Sequence, residues 1–125
     1  MFTFEGIYTP AITPYAADGS IDFARFSDVL ESLIEARVHG IIIGGSTGEY
    51  YAQSPEERFA LVEHARKVTT GRTALIVGTG AIRTEDAVTY AKHARENNAA
   101  AIRVTSPPYV LPSDLENAHH SLTVP

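Results

Sequence analysis

The 125-residue sequence contains no cysteine. It therefore has no disulfide, no thiol nucleophile and no cysteine-ligated metal site. It also contains no apolar run approaching the roughly 18 residues that cross a bilayer. Its first residues, Met-Phe-Thr-Phe-Glu, lack the basic segment and apolar core of a secretory signal. These absences favour a cytoplasmic protein without a membrane partner.

Positive charge is also scarce. Lysine and arginine total 10 against 15 aspartate and glutamate residues, which gives a formal net charge of -5. The basic residues are scattered, which argues against a nucleic-acid partner and an acidic membrane surface. The composition, 44% hydrophobic and 20% charged, is typical of a globular protein. We expect residues 1–125 to form a single domain with its own core.

One stretch, residues 40–49 (GIIIGGSTGE), organises the rest of the chain. The three isoleucines predict a strand buried on both faces of a parallel sheet. Gly44 and Gly45 then remove side chains where the backbone turns sharply or approaches another group closely. Ser46 and Thr47 follow at the carboxyl end of the strand, where α/β folds bind ligands. The loop lacks the spacing of a P-loop or of a dinucleotide-binding turn, which disfavours a nucleotide. It either holds an anion such as a substrate carboxylate or is a glycine-rich turn that binds nothing.

Strands and helices alternate along the chain. Strands are predicted at residues 6–13, 41–43, 74–77 and 101–105. Helices are predicted after Asp22, Ser54, Thr84 and Ser113, and the first is expected to end near Val38. This alternation indicates parallel strands with right-handed crossovers. It fits a small doubly wound sheet or part of a (β/α)8 barrel, of which 125 residues would supply about half.

Several motifs in a fixed order resemble one family. They are Thr-Pro-Ala-Ile-Thr-Pro at residues 9–14, Gly-Ser-Thr-Gly-Glu at 45–49, Ser-Pro-Glu-Glu-Arg at 54–58, Gly-Thr-Gly at 78–80 and Pro-Pro-Tyr at 107–109. The chain resembles the dihydrodipicolinate synthase and N-acetylneuraminate lyase family of aldolases and lyases from Gly6 to about Leu122. This resemblance implies a (β/α)8 TIM barrel of which the chain carries the first four βα units, and homo-oligomeric assembly.

The resemblance also implies a reaction. Members of the family form a Schiff base between a lysine on a strand and a 2-keto acid such as pyruvate. Ser46 and Thr47 match the residues that bind the carboxylate of the keto acid, which leaves the ketone carbon free for attack. No cofactor is implied. We also expect no metal, because the five histidines show no ligand spacing.

Tyr109 matches the first tyrosine of the Pro-Tyr-Tyr motif of the family and is the candidate catalytic residue of this chain. Packing of an amphipathic ring is an alternative role for it. Val110 stands where many members have a second tyrosine that relays protons, and a valine transfers none. Two charged residues have alternative roles. Glu49 could act as a general base, but a carboxylate that closes a glycine-rich turn is expected to bond backbone N–H groups. Arg103 is either a substrate contact or part of a structural ion pair.

The main departure from the family concerns lysine. A Schiff-base lysine lies in a desolvated pocket, whereas Lys67 and Lys92 lie on predicted helices as ordinary solvated side chains. The lysine of the family would lie beyond Pro125, so we expect a truncated or fragmentary lyase, inactive as this chain. The alternatives are a non-catalytic half-barrel that binds anions, and a small doubly wound domain that binds a phosphorylated ligand.

Overall fold

The structure is a computed structural model that describes residues 3–107 and 112–124. Strand and helix alternate along it, as predicted. The strands are β1 (Tyr8–Pro10), β2 (Gly40–Ile43), β3 (Ala74–Gly78) and β4 (Ala101–Arg103). The helices are α1 (Phe23–Glu35), α2 (Pro55–Thr69), α3 (Thr84–Glu96) and α4 (Asp114–Thr123). Two short 3₁₀ turns, Ser46–Gly48 and Tyr50–Ala52, connect β2 to α2.

Strands that follow one another in sequence are also neighbours in the sheet. Within the described residues the order is β1-β2-β3-β4, and every pairing is parallel. A doubly wound sheet reverses its strand order at a switch point, and this order has no reversal in the part of the chain that the structure describes. Sequential parallel strands with intervening helices are the first units of a (β/α)8 barrel. The partial-barrel prediction is confirmed, and the doubly wound alternative is not favoured.

The core lies between the helices and one face of the sheet. Successive side chains of a strand point to opposite faces, and Ile41 and Ile43 of β2 point to the face that α1 covers. The buried residues of this cluster are Ala11, Phe26, Leu30, Ile41, Ile43, Leu61, Val62, Ala65, Leu75, Val77 and Ala94. Alanines on α3 allow close packing at a second cluster, as predicted for Ala87 and Ala91.

The other face of the sheet, which we call the inner face, carries a row of residues in register. They are Pro10, Ile42, Ile76 and Ala101. None of the four belongs to the apolar clusters that the helices share with the sheet. The loops that leave the carboxyl ends of β2 and β3 therefore lie at the rim of this face.

Helices α1, α2 and α4 begin at the predicted capping residues, whereas α3 begins after Arg83, which makes no side-chain capping bond. The carboxylate of Asp22 accepts a hydrogen bond from the Arg25 amide at 3.0 Å. Ser54 and Ser113 each form a complete capping box, so the hydroxyl and the reciprocal glutamate satisfy two backbone donors at each helix start. Among the described residues, no helix combines the length and the apolarity needed to cross a bilayer.

Some boundaries differ from the prediction. Helix α1 ends at Glu35, before the predicted end near Val38, because Arg37 adopts a left-handed conformation with φ 58°. Strand β1 is shorter than residues 6–13 and ends at Pro10. The Ala11 amide still donates to the Ile42 carbonyl at 2.9 Å, so Pro10 stands where a strand can lack an N–H without losing a bond to β2. Strand β4 ends at Arg103 rather than at residue 105.

Candidate functional site

The loop after β2 is a pair of tight turns. Gly44 has φ 69°, a conformation that glycine adopts without steric cost. The next residues form the first 3₁₀ turn, closed by hydrogen bonds from the Gly48 amide to the Gly45 carbonyl (3.1 Å) and from the Glu49 amide to the Ser46 carbonyl (3.0 Å). Glu49 is itself left-handed, with φ 59°, and starts the second turn. Ser46 and Thr47 lie at the start of the first turn, and we call these two residues the loop tip.

Ser46 and Thr47 present unused hydrogen-bond donors to solvent. Both residues are exposed. Their backbone amides begin a 3₁₀ turn, where N–H groups have no acceptor within the turn. Within the described residues, neither these amides nor the two hydroxyls form a hydrogen bond. The tip therefore offers N–H and O–H donors side by side, a chemistry suited to a carboxylate.

A polar network holds the base of the loop. The buried Gly48 places its carbonyl so that it accepts from the Thr13 hydroxyl at 2.8 Å and from Gln53 Nε2 at 2.7 Å. Gln53 Nε2 also donates to the Tyr15 hydroxyl at 3.0 Å. The segment after β1 and the residue that follows the second 3₁₀ turn thus fix the loop from both sides. The sequence alone did not identify Tyr15 or Gln53 as part of the site. Of the three residues in this network, only Thr13 lies in a motif singled out from the sequence, residues 9–14.

Glycines allow β3 to approach the loop closely. A Cβ atom on Gly78 would lie directly against the Gly44 carbonyl oxygen and 3.2 Å from the Gly45 amide nitrogen. Gly78, the first residue of the Gly-Thr-Gly motif, is therefore needed for backbone packing against the loop. A Cβ on Gly48 would similarly lie 3.1 Å from the Ala11 carbonyl oxygen.

Arg58 of α2 links the ends of the two loops. Its side chain is buried, at 7% exposure, and donates to the Gly80 carbonyl at 2.9 Å and to the Gly78 carbonyl at 3.0 Å. The guanidinium carbon lies 3.6 Å from the centroid of the Tyr90 ring and 5.2 Å from that of Tyr50. Burial lowers the pKa of Arg58 below its ordinary value, and both tyrosines oppose that shift. The charged side chain is compensated by carbonyls and ring faces.

Several other predicted residues are not part of this loop. Tyr109 and Val110 lie outside the described residues. Lys67 and Lys92 are exposed on α2 and α3, as predicted. Glu49 is exposed and its carboxylate forms no hydrogen bond within the described residues, so the prediction that it bonds backbone N–H groups is wrong there.

The histidines have structural contacts. His64 Nε2 lies 2.7 Å from the Ser27 hydroxyl, and His120 Nδ1 lies 3.0 Å from the Thr84 hydroxyl. In residues 3–107 and 112–124 no three His, Asp or Glu side chains are grouped so as to hold a metal ion. The described histidines therefore give no indication of a metal centre.

The sequence and the fold match one family. The model of the dihydrodipicolinate synthetase family matches residues 3–124. The chain belongs to this family. It is 34% identical over 110 residues to a 4-hydroxy-tetrahydrodipicolinate synthase from Bacillus subtilis (strain 168), a match that covers 88% of this chain and 38% of that protein.

Solved structures agree with this assignment. N-acetylneuraminate lyase from Mycoplasma synoviae is 31% identical with a TM-score of 0.91, over 97% of this chain and 42% of that one. The second structure is a prophage protein of the dihydrodipicolinic acid synthase family from E. coli K12 in complex with pyruvate. It is 30% identical with a TM-score of 0.92, and the match covers 97% of this chain and 41% of that one. The chain thus spans between 38% and 42% of the length of these relatives. The predicted family and barrel fold are both confirmed.

Proposed function

We propose that this chain is part of a Schiff-base lyase or aldolase that acts on a 2-keto acid such as pyruvate, and that Ser46 and Thr47 bind its carboxylate. The observation that carries the proposal is the loop tip, where two hydroxyls and two amides are exposed and unpaired within the described residues. Family membership supports it, as does the pyruvate bound to the E. coli relative.

The proposed chemistry follows from the position of the tip. Donors at the end of β2 would hold the carboxylate at the rim of the inner face and direct the ketone carbon over that face. A lysine amine would then attack this carbon, and loss of water would give a protonated imine, whose positive nitrogen accepts electrons from C3 to form an enamine. Lyase and aldolase reactions break or form the bond between C3 and C4, whose electron pair this enamine holds.

We propose further that neither lysine of this chain forms the imine. Lys67 and Lys92 are exposed on helices, whereas a lysine nucleophile needs desolvation to lower its pKa. The chain by itself would then be inactive. Residues 1–125 as a single domain, a cytoplasmic location and a homo-oligomeric state of the longer protein stay predictions.

Tyr109 is the proposed proton-transfer residue of this chain. Its support is the match to the tyrosine motif of the family, since the residue lies outside the described part of the structure. A Tyr109→Phe variant of the longer protein should lose turnover while keeping its affinity for pyruvate, because only the phenol O–H is removed.

The carboxylate proposal is tested on the purified chain by NMR. Amide and side-chain shifts are followed during titration with pyruvate, for the wild type and for a Ser46→Ala/Thr47→Val double variant. Thr89→Val is the matched control, because Thr89 is exposed on α3 and bonds only the Glu85 carbonyl. We expect saturable shifts at the loop in the wild type and in Thr89→Val, and none in the double variant. Equal binding by all three would refute the assignment.

Borohydride trapping with labelled pyruvate tests the lysine proposal separately. Borohydride reduces an imine to a stable amine, so a reactive lysine becomes permanently labelled. We expect no label on this chain after mass analysis. Label at Lys67 or Lys92 would overturn the proposal that neither lysine reacts, without affecting the carboxylate site.

A further inference from the structure

Arg103 lies at the carboxyl end of β4, on the inner face. It is in register with Gly78 of β3, and residues in register point to the same face of a sheet. The preceding Ile102 packs with the apolar clusters on the helix side, so Arg103 points away from them. One of its guanidinium nitrogens lies 3.7 Å from the position that a Cβ on Gly45 would occupy. The guanidinium thus lies beside Gly45, the residue that precedes Ser46.

No carboxylate of the described residues neutralises Arg103. The side chain is exposed, and in residues 3–107 and 112–124 it forms neither a salt bridge nor a hydrogen bond. The row behind it on the inner face, Pro10, Ile42, Ile76 and Ala101, is apolar. A cation at the rim of an apolar face, next to a tip of free donors, attracts an anionic group.

Ser46 and Thr47 already account for one carboxylate. An ionised carboxylate has two oxygens with about four acceptor positions, and the two amides and two hydroxyls of the tip supply the same number of donors. A further donor from Arg103 is therefore not needed to bind this first carboxylate. Its planar fork of N–H donors instead matches a second carboxylate in bidentate geometry.

We propose that Arg103 is a specificity-determining residue that selects a 2-keto acid with a second carboxylate over pyruvate. This inference rests on the proposed function, because it takes the first carboxylate to lie at Ser46 and Thr47. The ligand class is a 2-keto dicarboxylic acid. Its first carboxylate binds the loop tip and its second pairs with the Arg103 guanidinium.

The test compares two ligands and three forms of the purified chain. Pyruvate and 2-oxoglutarate are titrated against the wild type, Arg103→Gln and Arg103→Lys, and dissociation constants are measured by NMR or calorimetry. We expect the wild type to bind 2-oxoglutarate about five- to tenfold more tightly than pyruvate, the range of an accessible charge-assisted pair. Arg103→Gln should abolish this preference and leave pyruvate affinity within about twofold. Arg103→Lys should keep part of it, because an ammonium is not a bidentate donor.

Each other result overturns the inference in a recognisable way. Equal loss of both ligands in Arg103→Gln would place the guanidinium on the first carboxylate. No preference in the wild type, with pyruvate still bound, would remove Arg103 from recognition while the proposed function stands. Failure of the wild type to bind either ligand would refute the carboxylate site itself and this inference with it.

Discussion

Substitution of Gly78 by alanine tests whether the candidate loop depends on its close contact with β3. The added Cβ would meet the Gly44 carbonyl oxygen directly and would lie 2.7 Å from the Gly44 carbonyl carbon. Ordinary van der Waals contact begins at 3.4 Å. The backbone of Gly44 and Gly45 must therefore move away by about 0.7 Å or more, since backbone atoms have no rotamer to change.

The cost of Gly78→Ala follows from this geometry. Overpacking that displaces backbone destabilises a protein by about 1–3 kcal/mol, a large share of the roughly 5–15 kcal/mol that stabilises a domain. Urea unfolding followed by circular dichroism measures the loss. With a slope of about 1–3 kcal/mol per molar urea, the midpoint should fall by about 1 M. The pyruvate-induced shifts at the loop tip should weaken in the same variant.

Gly45→Ala is the matched control for this experiment. Gly45 has φ -94° and ψ 179°, a conformation open to any residue, and its added Cβ meets only the Arg103 guanidinium at 3.7 Å. Its unfolding free energy should stay within about 0.5 kcal/mol of the wild type. If Gly78→Ala unfolds at the wild-type urea concentration, the close contact does not constrain the loop and the reasoning is refuted.

Three further predictions concern Arg58, His64 and Ser54. Arg58→Met should lower the unfolding free energy by about 1–3 kcal/mol for each carbonyl left unsatisfied. Arg58→Lys should keep only part of the stability that Arg58 provides. If Arg58→Met is as stable as the wild type, this prediction is wrong. Burial of the His64 ring, and next the positive charge of Lys67, lower the pKa of His64 below its ordinary value of 6.5. The unfolded chain therefore binds more protons at His64 than the folded chain does. The free energy of unfolding should fall as the pH drops through about 6.5. Thermal unfolding from pH 8 to 5 should show this slope, reduced in His64→Gln, and an unchanged slope would exclude His64 as its source. Ser54→Ala removes the cap of α2 and should cost about 1 kcal/mol in urea unfolding; no loss would mean that the capping box does not contribute.

Local sequence signals predicted the helices well because those signals act locally. Capping residues bond backbone groups two or three positions away, so Ser54 and Ser113 identified their helix starts without knowledge of the fold. The end of α1 was less predictable. Arg37 adopts a left-handed conformation that glycine or asparagine usually occupies, and no residue type there indicates it.

The candidate site was predicted only in part, because its parts are far apart in sequence. Ser46 and Thr47 follow an obvious strand, so their place at its carboxyl end was foreseeable. The carbonyl of Gly48 is held by Thr13, 35 residues away, and the Gly78 carbonyl by Arg58, 20 residues away. Such pairs depend on strand register and helix placement, which periodicity does not fix.

Arg103 shows how register changes the meaning of a residue. As a charge on an apolar strand it had two readings, a substrate contact or a structural ion pair. The register with Gly78 places it on the inner face, and its guanidinium lies beside Gly45 next to the loop tip. Within the described residues no carboxylate pairs with it, so the ion-pair reading lacks a partner there. Strand register and the position of the guanidinium beside Gly45, rather than residue type alone, therefore bring a cation to the proposed carboxylate site.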